Sequence, residues 1–246
     1  MGTDVSSITK RSVGTLKKVL QSCLPDICFF CAEETQLIPG LCDSCIRALP
    51  KNSLFCPRCA NPTSAPTFCP ECLLDPPYFT TTISPFLYTD RAKSLVSSAK
   101  FYGDLRATAS IGHLLGRYVS QVSDFLPDML VPVPMHPSRL RKRGYNQAVE
   151  ITRVLQHYVP VPMGTMVCQR RVATEAQSRL TSLALRRRNV AGAFVADEVP
   201  SDVHHIILVD DVMTTGSTLR AIAQCLIQAG ISRVDNWVFS RSNNKI

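Results

Sequence analysis

Residues 206–219 read Ile-Ile-Leu-Val-Asp-Asp-Val-Met-Thr-Thr-Gly-Ser-Thr-Leu. The four apolar residues at the start predict a buried parallel strand, because such a strand is covered on both faces and does not alternate with polar residues. Apolar residues then recur at helical spacing from Leu219 to Ile227, which predicts a helix after the hydroxyl-rich turn. The stretch therefore predicts an α/β fold with a ligand site beyond the carboxyl end of this strand.

The turn itself predicts a phosphate site. The first N–H groups of a helix are unpaired and lie at the positive end of its dipole, so they hold an anion. The predicted phosphate-binding residues are Thr214, Thr215, Gly216, Ser217 and Thr218. Asp210 and Asp211 would repel that phosphate and instead suit hydroxyl groups or a metal ion. A phosphate beside a diol describes a sugar phosphate.

Two other structures could account for parts of the same stretch. An ordinary buried strand with a capping turn would explain the apolar run, although not the two acids and the four hydroxyl side chains; it remains open. A nucleoside triphosphatase can also end a strand in Asp-Asp, but it needs the loop G-x-x-x-x-G-K-[ST]. The chain contains no Gly-Lys pair, and this excludes the triphosphatase.

Composition limits the class of protein. The chain has 246 residues, of which 45% are hydrophobic, enough for one α/β domain and a small module. No apolar run approaches the length of a membrane span, so we expect no membrane insertion. Residues 1–24 carry apolar positions at helical spacing and lack a small-residue cleavage site, which favours an N-terminal helix over a signal peptide. We expect a cytoplasmic protein.

Charge is concentrated in one part of the chain. The formal net charge is +8, and between Arg139 and Arg188 there are eleven Lys or Arg residues against two acids. Such a segment indicates a polyanionic partner, which could be phosphate, pyrophosphate or nucleic acid. A solvated basic turn is the alternative for Arg141, Lys142 and Arg143.

Eight of the eleven cysteines form four C-x-x-C pairs. They are Cys28 and Cys31, Cys42 and Cys45, Cys56 and Cys59, and Cys69 and Cys72. Each pair directs two thiolates at one ion, and two pairs complete a tetrahedral zinc site. A disulfide framework is typical of secreted proteins, and a zinc deaminase would need Pro-Cys-x-x-Cys and His-x-Glu, which are absent.

The pairing of the four knuckles stays open at this point. Consecutive pairing closes the shortest loops and costs the least entropy, while a cross-braced arrangement remains possible. We expect one or two Zn²⁺ ions with a structural role, because a site made only of thiolates leaves no position for a reacting water.

The stretch 206–219 resembles the phosphoribosyl-pyrophosphate (PRPP) signature of type I phosphoribosyltransferases. This resemblance implies that Asp210 and Asp211 bind the ribose hydroxyls, that the turn wraps the 5′-phosphate, and that Mg²⁺ accompanies PRPP. It also implies a pyrophosphate loop after the first core strand, made of Met135, His136, Pro137, Ser138 and Arg139. The basic stretch from Arg170 to Phe194 resembles the loop that closes over PRPP in these enzymes.

The order of motifs resembles the ComF family. After the four knuckles come Lys-Phe-x-Gly-Asp at 100–104, Arg-Gly-Tyr-Asn-Gln at 143–147, Thr-x-x-Gln-x-x-Leu at 174–180 and Arg-x-x-Asn-Val at 186–190. The resemblance implies a zinc module over 25–77 and, over 78–246, a type I phosphoribosyltransferase-like parallel sheet flanked by helices. It further implies a competence protein that assists the handling of single-stranded DNA beside other competence proteins, such as a helicase or translocase. The candidates for phosphate or DNA contacts are Lys100, Arg141, Lys142, Arg143, Gln177 and Arg179.

Two functions of different classes follow. In the first, the protein is a DNA-handling accessory whose PRPP site is a ligand pocket. In the second, it is an active Mg²⁺-dependent phosphoribosyltransferase with an unknown acceptor.

Overall fold

A computed structural model describes residues 26–35, 37–123, 125–171, 192–197 and 199–243. The helix predicted for residues 1–24, and Gln177 and Arg179, lie outside these ranges. The chain divides into two compact units, one ending at Arg47 and the other beginning at Ala48. The boundary predicted between residues 77 and 78 stays a prediction.

The described part of the first unit, from Asp26 to Arg47, is short and contains little regular structure. One helix, α1 (Asp43–Arg47), carries the buried Cys45. Isolated bridges join Ile27 to Glu34 and Ile38 to Leu41. These bridges close the two knuckle turns and bring four cysteines together.

The second unit contains six helices and seven strands among its described residues. In chain order they are α2 (Pro70–Leu74), β1 (Thr82–Ile83), β2 (Phe86–Leu87), α3 (Asp90–Phe101), α4 (Leu105–Val122), β3 (Met129–Pro132), α5 (Pro137–Arg143), α6 (Gln147–Leu155), β4 (Cys168–Arg170), β5 (Phe194–Ala196), β6 (His205–Met213), α7 (Ser217–Gln228) and β7 (Arg233–Arg241). Strands β1 and β2 are separate although the sequence alternates from Thr80 to Leu87, because Pro85 supplies no N–H to the ladder.

The central sheet is parallel. Its strands lie in the order β1-β7-β6-β3, with β2 also paired to β7. Strands β4 and β5 form a separate antiparallel pair. Because parallel strands end at the same edge of a sheet, the segments after β3 and β6 meet there. That edge carries the predicted site.

Strand β6 is buried on both faces, as its apolar run predicts. Ile206 and Leu208 pack in one core with Leu219 and Leu226 of α7. Ile207 and Val209 are fully buried and point to the opposite face, where α6 packs against β6. The chain has a Cys-rich N-terminal segment followed by a parallel sheet with flanking helices, which confirms the predicted fold class. No helix among the described residues is long and apolar enough to cross a membrane.

Candidate functional site

The turn between β6 and α7 begins the site. Gly216 has a φ of 74° and is the N-cap of α7. A Cβ at this position would lie 2.4 Å from Cε of Met213, so only glycine fits here without a shift. The hydroxyls of Thr215 and Ser217 lie 2.8 Å apart and stiffen the turn. Thr214 and Thr218 line a neighbouring cavity of about 380 Å³.

The two acids of β6 line the same cavity. Asp211 is buried, and its Oδ1 lies 2.8 Å from Nζ of Lys100. Burial and the neighbouring charge of Asp211 raise the pKa of Asp210 to about 7. Burial opposes the charge of Lys100, but the carboxylates of Asp211 and Asp210 outweigh it and raise the pKa of Lys100. The acids therefore lie beside one permanent cation.

Cations from two other segments face this cavity. Arg139 and Arg143 come from α5, and Arg170 comes from β4. Arg170 is 8% exposed, and burial together with the charge of Arg139 lowers its pKa to about 10. The sequence pattern places Arg170 only at the start of a loop and does not identify it as a site residue. Guanidinium groups bind phosphate oxygens in pairs of hydrogen bonds, so this set suits a polyphosphate.

The Arg-Gly-Tyr-Asn-Gln motif holds these cations in place. Gly144 ends α5 in the left-handed conformation, with a φ of 86°. The buried Gln147 then accepts a hydrogen bond from Nη1 of Arg143 at 2.8 Å and donates one to the carbonyl oxygen of Ala99 at 3.1 Å. The hydroxyl of Tyr145 donates to the same carbonyl. The motif thereby joins Arg143 to the end of α3, directly before Lys100.

Asn146 ties the same motif to the sheet. Its amide donates to the carbonyl oxygen of Val133, just after β3, at 3.0 Å, and its Oδ1 accepts from the N–H of Ala148 at 3.1 Å. One side chain thus caps α6 and fixes the start of the predicted pyrophosphate loop.

The predicted pyrophosphate loop is only partly a loop. Met135 and Arg139 line the cavity, whereas His136, Pro137 and Ser138 are not among its described lining residues. His136 caps α5, because its Nδ1 accepts from the N–H of Ser138 at 3.2 Å. The basic run, for which a solvated turn was the alternative interpretation, therefore lies on a helix. Arg141 and Lys142 are exposed on that helix.

A buried arginine donates hydrogen bonds to the main chain of the predicted phosphate turn. Arg241, at the end of β7, is 1% exposed and donates to the carbonyl oxygens of Met213 and Thr214. Its Nε donates to the carbonyl oxygen of Cys59 at 2.9 Å. Arg241 was not among the predicted site residues, although an arginine that ends an apolar strand must find partners when it is buried.

The cysteines form two groups of four, each with consecutive pairing. One group is Cys28, Cys31, Cys42 and Cys45, and the other is Cys56, Cys59, Cys69 and Cys72. The ligand atoms within a group lie within 4.8 Å of one another. A tetrahedral zinc site with Zn–S bonds of about 2.3 Å places its sulfurs about 3.8 Å apart. The Sγ atoms of Cys59 and Cys69 are 3.6 Å apart, and those of Cys31 and Cys42 are 3.5 Å apart. Both groups therefore fit a zinc ion.

The second group is part of the main core. All four of its cysteines are buried and pack in the cluster that contains Phe79, Met213 and Val238. Four thiolates complete a tetrahedral shell, so an ion held here would be structural. It would stabilise the segment that contacts Arg241.

Comparisons with known proteins found relatives that match most of this chain. No protein-family model matches the chain. The chain is 33% identical over 225 residues to the DNA utilization protein YhgH of Salmonella typhimurium, covering 89% of this chain and 98% of that protein. It is 28% identical over 212 residues to competence protein F of Haemophilus influenzae, covering 82% and 91%.

Two more distant similarities were found. Competence protein ComFC of Bacillus subtilis is 28% identical over 213 residues, covering 82% of this chain and 84% of that protein. A purine phosphoribosyltransferase from Pyrococcus horikoshii Ot3 superimposes on 56% of this chain and 84% of its own, with 14% identity and a TM-score of 0.33. On the sequence relatives, the chain belongs to the ComF family.

Proposed function

We propose that this protein binds PRPP with Mg²⁺ at the carboxyl edge of its sheet and assists the handling of single-stranded DNA in competence. One observation carries the proposal. Asp210 and Asp211 line the same cavity as Arg139, Arg143 and Arg170, next to the turn at Thr214. Carboxylates suit the ribose hydroxyls and Mg²⁺, and the guanidinium groups suit the pyrophosphate.

The names of the relatives support the DNA part of the proposal. One relative is a DNA utilization protein and two are competence proteins. The exposed cations of α5 add a surface to which a phosphate backbone would bind by counterion release. Action beside a helicase or translocase, and a cytoplasmic location, remain predictions from the sequence.

A second function, phosphoribosyl transfer, is favoured by the raised pKa of Asp210, which lines the cavity. A carboxyl group with a pKa of about 7 exchanges its proton near neutral pH, as a general acid or base must. In such a transfer an acceptor would form a bond to C1 of the ribose while the bond from C1 to pyrophosphate breaks. Pyrophosphate would leave with Mg²⁺, and the acceptor would lose a proton.

One experiment separates the two functions. The protein is titrated calorimetrically with PRPP in the presence of Mg²⁺, and pyrophosphate release is then measured with and without single-stranded DNA. Binding without release supports a ligand site in an accessory protein. Release supports a transferase, and no binding under either condition contradicts both.

A further inference from the structure

A second hollow lies beside the cavity of Asp210 and Asp211. It has a volume of about 340 Å³ and is lined by Lys100, Phe101, Gly103, Arg139, Lys142 and Arg143. Its described lining contains four cationic side chains and no carboxylate. Lys100, Phe101, Arg139 and Arg143 also line the first cavity. The two hollows therefore share a wall.

Two consecutive aromatic residues are exposed to solvent here, and the first of them lines the hollow. Phe101, which lines it, is 72% exposed, and Tyr102 is 84% exposed. Leu105, which follows closely in the sequence, is 60% exposed and adds apolar surface. A folded protein leaves large adjacent apolar side chains exposed mainly where something binds.

The backbone that carries these aromatic residues is fixed. The N–H groups of Tyr102 and Asp104 both donate to the carbonyl oxygen of Ser98, at 3.1 and 3.4 Å. The hydroxyl of Ser98 donates to Oδ2 of Asp104 at 3.2 Å, and Oδ1 of Asp104 caps α4. The exposed rings thus extend from an anchored turn, so little backbone conformational entropy is lost when a ligand stacks on them.

We propose that this second hollow binds single-stranded nucleic acid, with a base stacked on Phe101 or Tyr102 and backbone phosphates on Lys142 and Arg139. The inference rests on the proposed DNA-handling function and assigns it a place. Aromatic faces beside cations suit single strands, because every base has a face to stack while the cations follow the backbone without reading sequence.

The shared wall makes the two ligands compete. Arg139 and Arg143 line both hollows, and Gln147 holds Arg143 at 2.8 Å within the wall. A pyrophosphate group bound to these guanidinium groups leaves fewer cations for a DNA phosphate. PRPP therefore weakens DNA binding, and by thermodynamic linkage DNA weakens PRPP binding by the same factor.

The test uses the full chain and a fluorescent oligothymidylate of about 20 nucleotides, followed by anisotropy at several salt concentrations. Phe101→Ala with Tyr102→Ala should weaken binding about fivefold or more for each stacked base and leave the salt dependence unchanged. Lys142→Ala should instead lower the slope of log K against log salt by about 0.7. A saturating concentration of PRPP, in the presence of Mg²⁺, should weaken binding of the oligonucleotide to the wild-type protein.

Tyr78→Ala is the matched control, because Tyr78 is an exposed aromatic residue, 49% accessible, that lines neither hollow. It should change nothing. The fluorescence of Trp237, buried in β7, reports that each variant is folded.

The outcomes separate this inference from the function on which it rests. If the wild-type protein does not bind the oligonucleotide, the DNA-handling function is wrong. If it binds and the Phe101/Tyr102 double variant binds equally well, DNA binds elsewhere and only this inference is wrong. Independent binding of PRPP and the oligonucleotide would contradict the competition inferred from the shared wall.

Discussion

Nε of Arg241 donates a hydrogen bond to the carbonyl oxygen of Cys59, 2.9 Å away. Nη1 of the same guanidinium donates to the carbonyl oxygen of Met213 at 3.1 Å. One buried cation thus joins a cysteine knuckle to the turn that we assign to the 5′-phosphate. The second cysteine group and the predicted phosphate turn therefore share a support.

Arg241→Met removes that support and leaves several buried carbonyl oxygens without a donor. We expect the free energy of unfolding to fall by about 3 kcal/mol and the affinity for PRPP to fall with it. Urea unfolding followed by Trp237 fluorescence measures the first, and calorimetry measures the second.

Arg220→Met is the control for this prediction. Arg220 also donates to a main-chain oxygen, that of Asp75, at 2.8 Å, but from the protein surface. Its loss should cost no more than about 1 kcal/mol. Wild-type stability and PRPP affinity in Arg241→Met would show that the turn needs no such support.

Zinc content tests the pairing of the knuckles. Because the two groups are separate, we expect two zinc ions per chain by atomic absorption. Cys45→Ser and Cys72→Ser should each lose one ion, and the double variant should lose both. Loss of both ions in either single variant would indicate a shared or cross-braced site.

Gln147→Met tests how Arg143 is positioned. The change keeps the volume of a buried side chain but removes its hydrogen bonds to Arg143 and Ala99. We expect PRPP to bind about tenfold more weakly, with about 1 kcal/mol lost from stability. Calorimetry and urea unfolding measure the two effects.

Gln156→Met is the comparison, since Gln156 lies just beyond the same helix and donates to the carbonyl oxygen of Val161 at 2.9 Å, outside the cavity. It should lose similar stability and keep its PRPP affinity. Equal affinities in both variants would remove Gln147 from the positioning network.

The pKa of Asp210 predicts the pH dependence of PRPP binding. The pKa is raised to about 7 in the folded protein, mainly by burial. The ionised carboxylate that ribose or Mg²⁺ requires is about 10% populated at about pH 6 and about 90% at about pH 8. Binding of PRPP with Mg²⁺ should therefore tighten about ninefold over this interval.

Asp210→Asn provides the baseline, because phosphate groups of PRPP titrate in the same interval. The variant should show only that ligand-borne dependence. The sign for stability is the opposite: a carboxyl group with a raised folded pKa stabilises the protein while it stays protonated. This contribution is lost as the pH rises from the unfolded value, about 4, through 7. An identical pH profile for the variant and the wild-type protein would contradict the assignment of Asp210.

Local sequence patterns predicted β6, its turn and α7, since an uninterrupted apolar run and a helical repeat each need few neighbours to be recognised. The cysteine spacing predicted zinc ligands for the same reason but left their pairing and the number of sites open. The structure shows two groups with consecutive pairing, the arrangement that closes the shortest loops. Arg170 and Arg241 could not be assigned in this way. Arg241 lies 182 residues from Cys59 in the chain. Arg170 lines one cavity with Asp210, and only the folded sheet brings these distant segments together.

The basic run at 139–143 shows a different limit of sequence patterns. Its composition indicated the charge, and a solvated turn was only the alternative interpretation, but neither indicated that the run lies in helix α5. Pro137 is favoured at the first turn of a helix and His136 supplies the cap. Read as capping signals, these two residues could have predicted the helix.

The most direct test of the central claim is a calorimetric titration of PRPP with Mg²⁺ into the wild-type protein and into Asp210→Asn/Asp211→Asn. The account predicts binding by the wild-type protein and its loss in the variant, with the buried Trp237 still fluorescing as in the folded wild type. Equal binding by both proteins would contradict it, because the ligand would then lie elsewhere than against the carboxylates of β6.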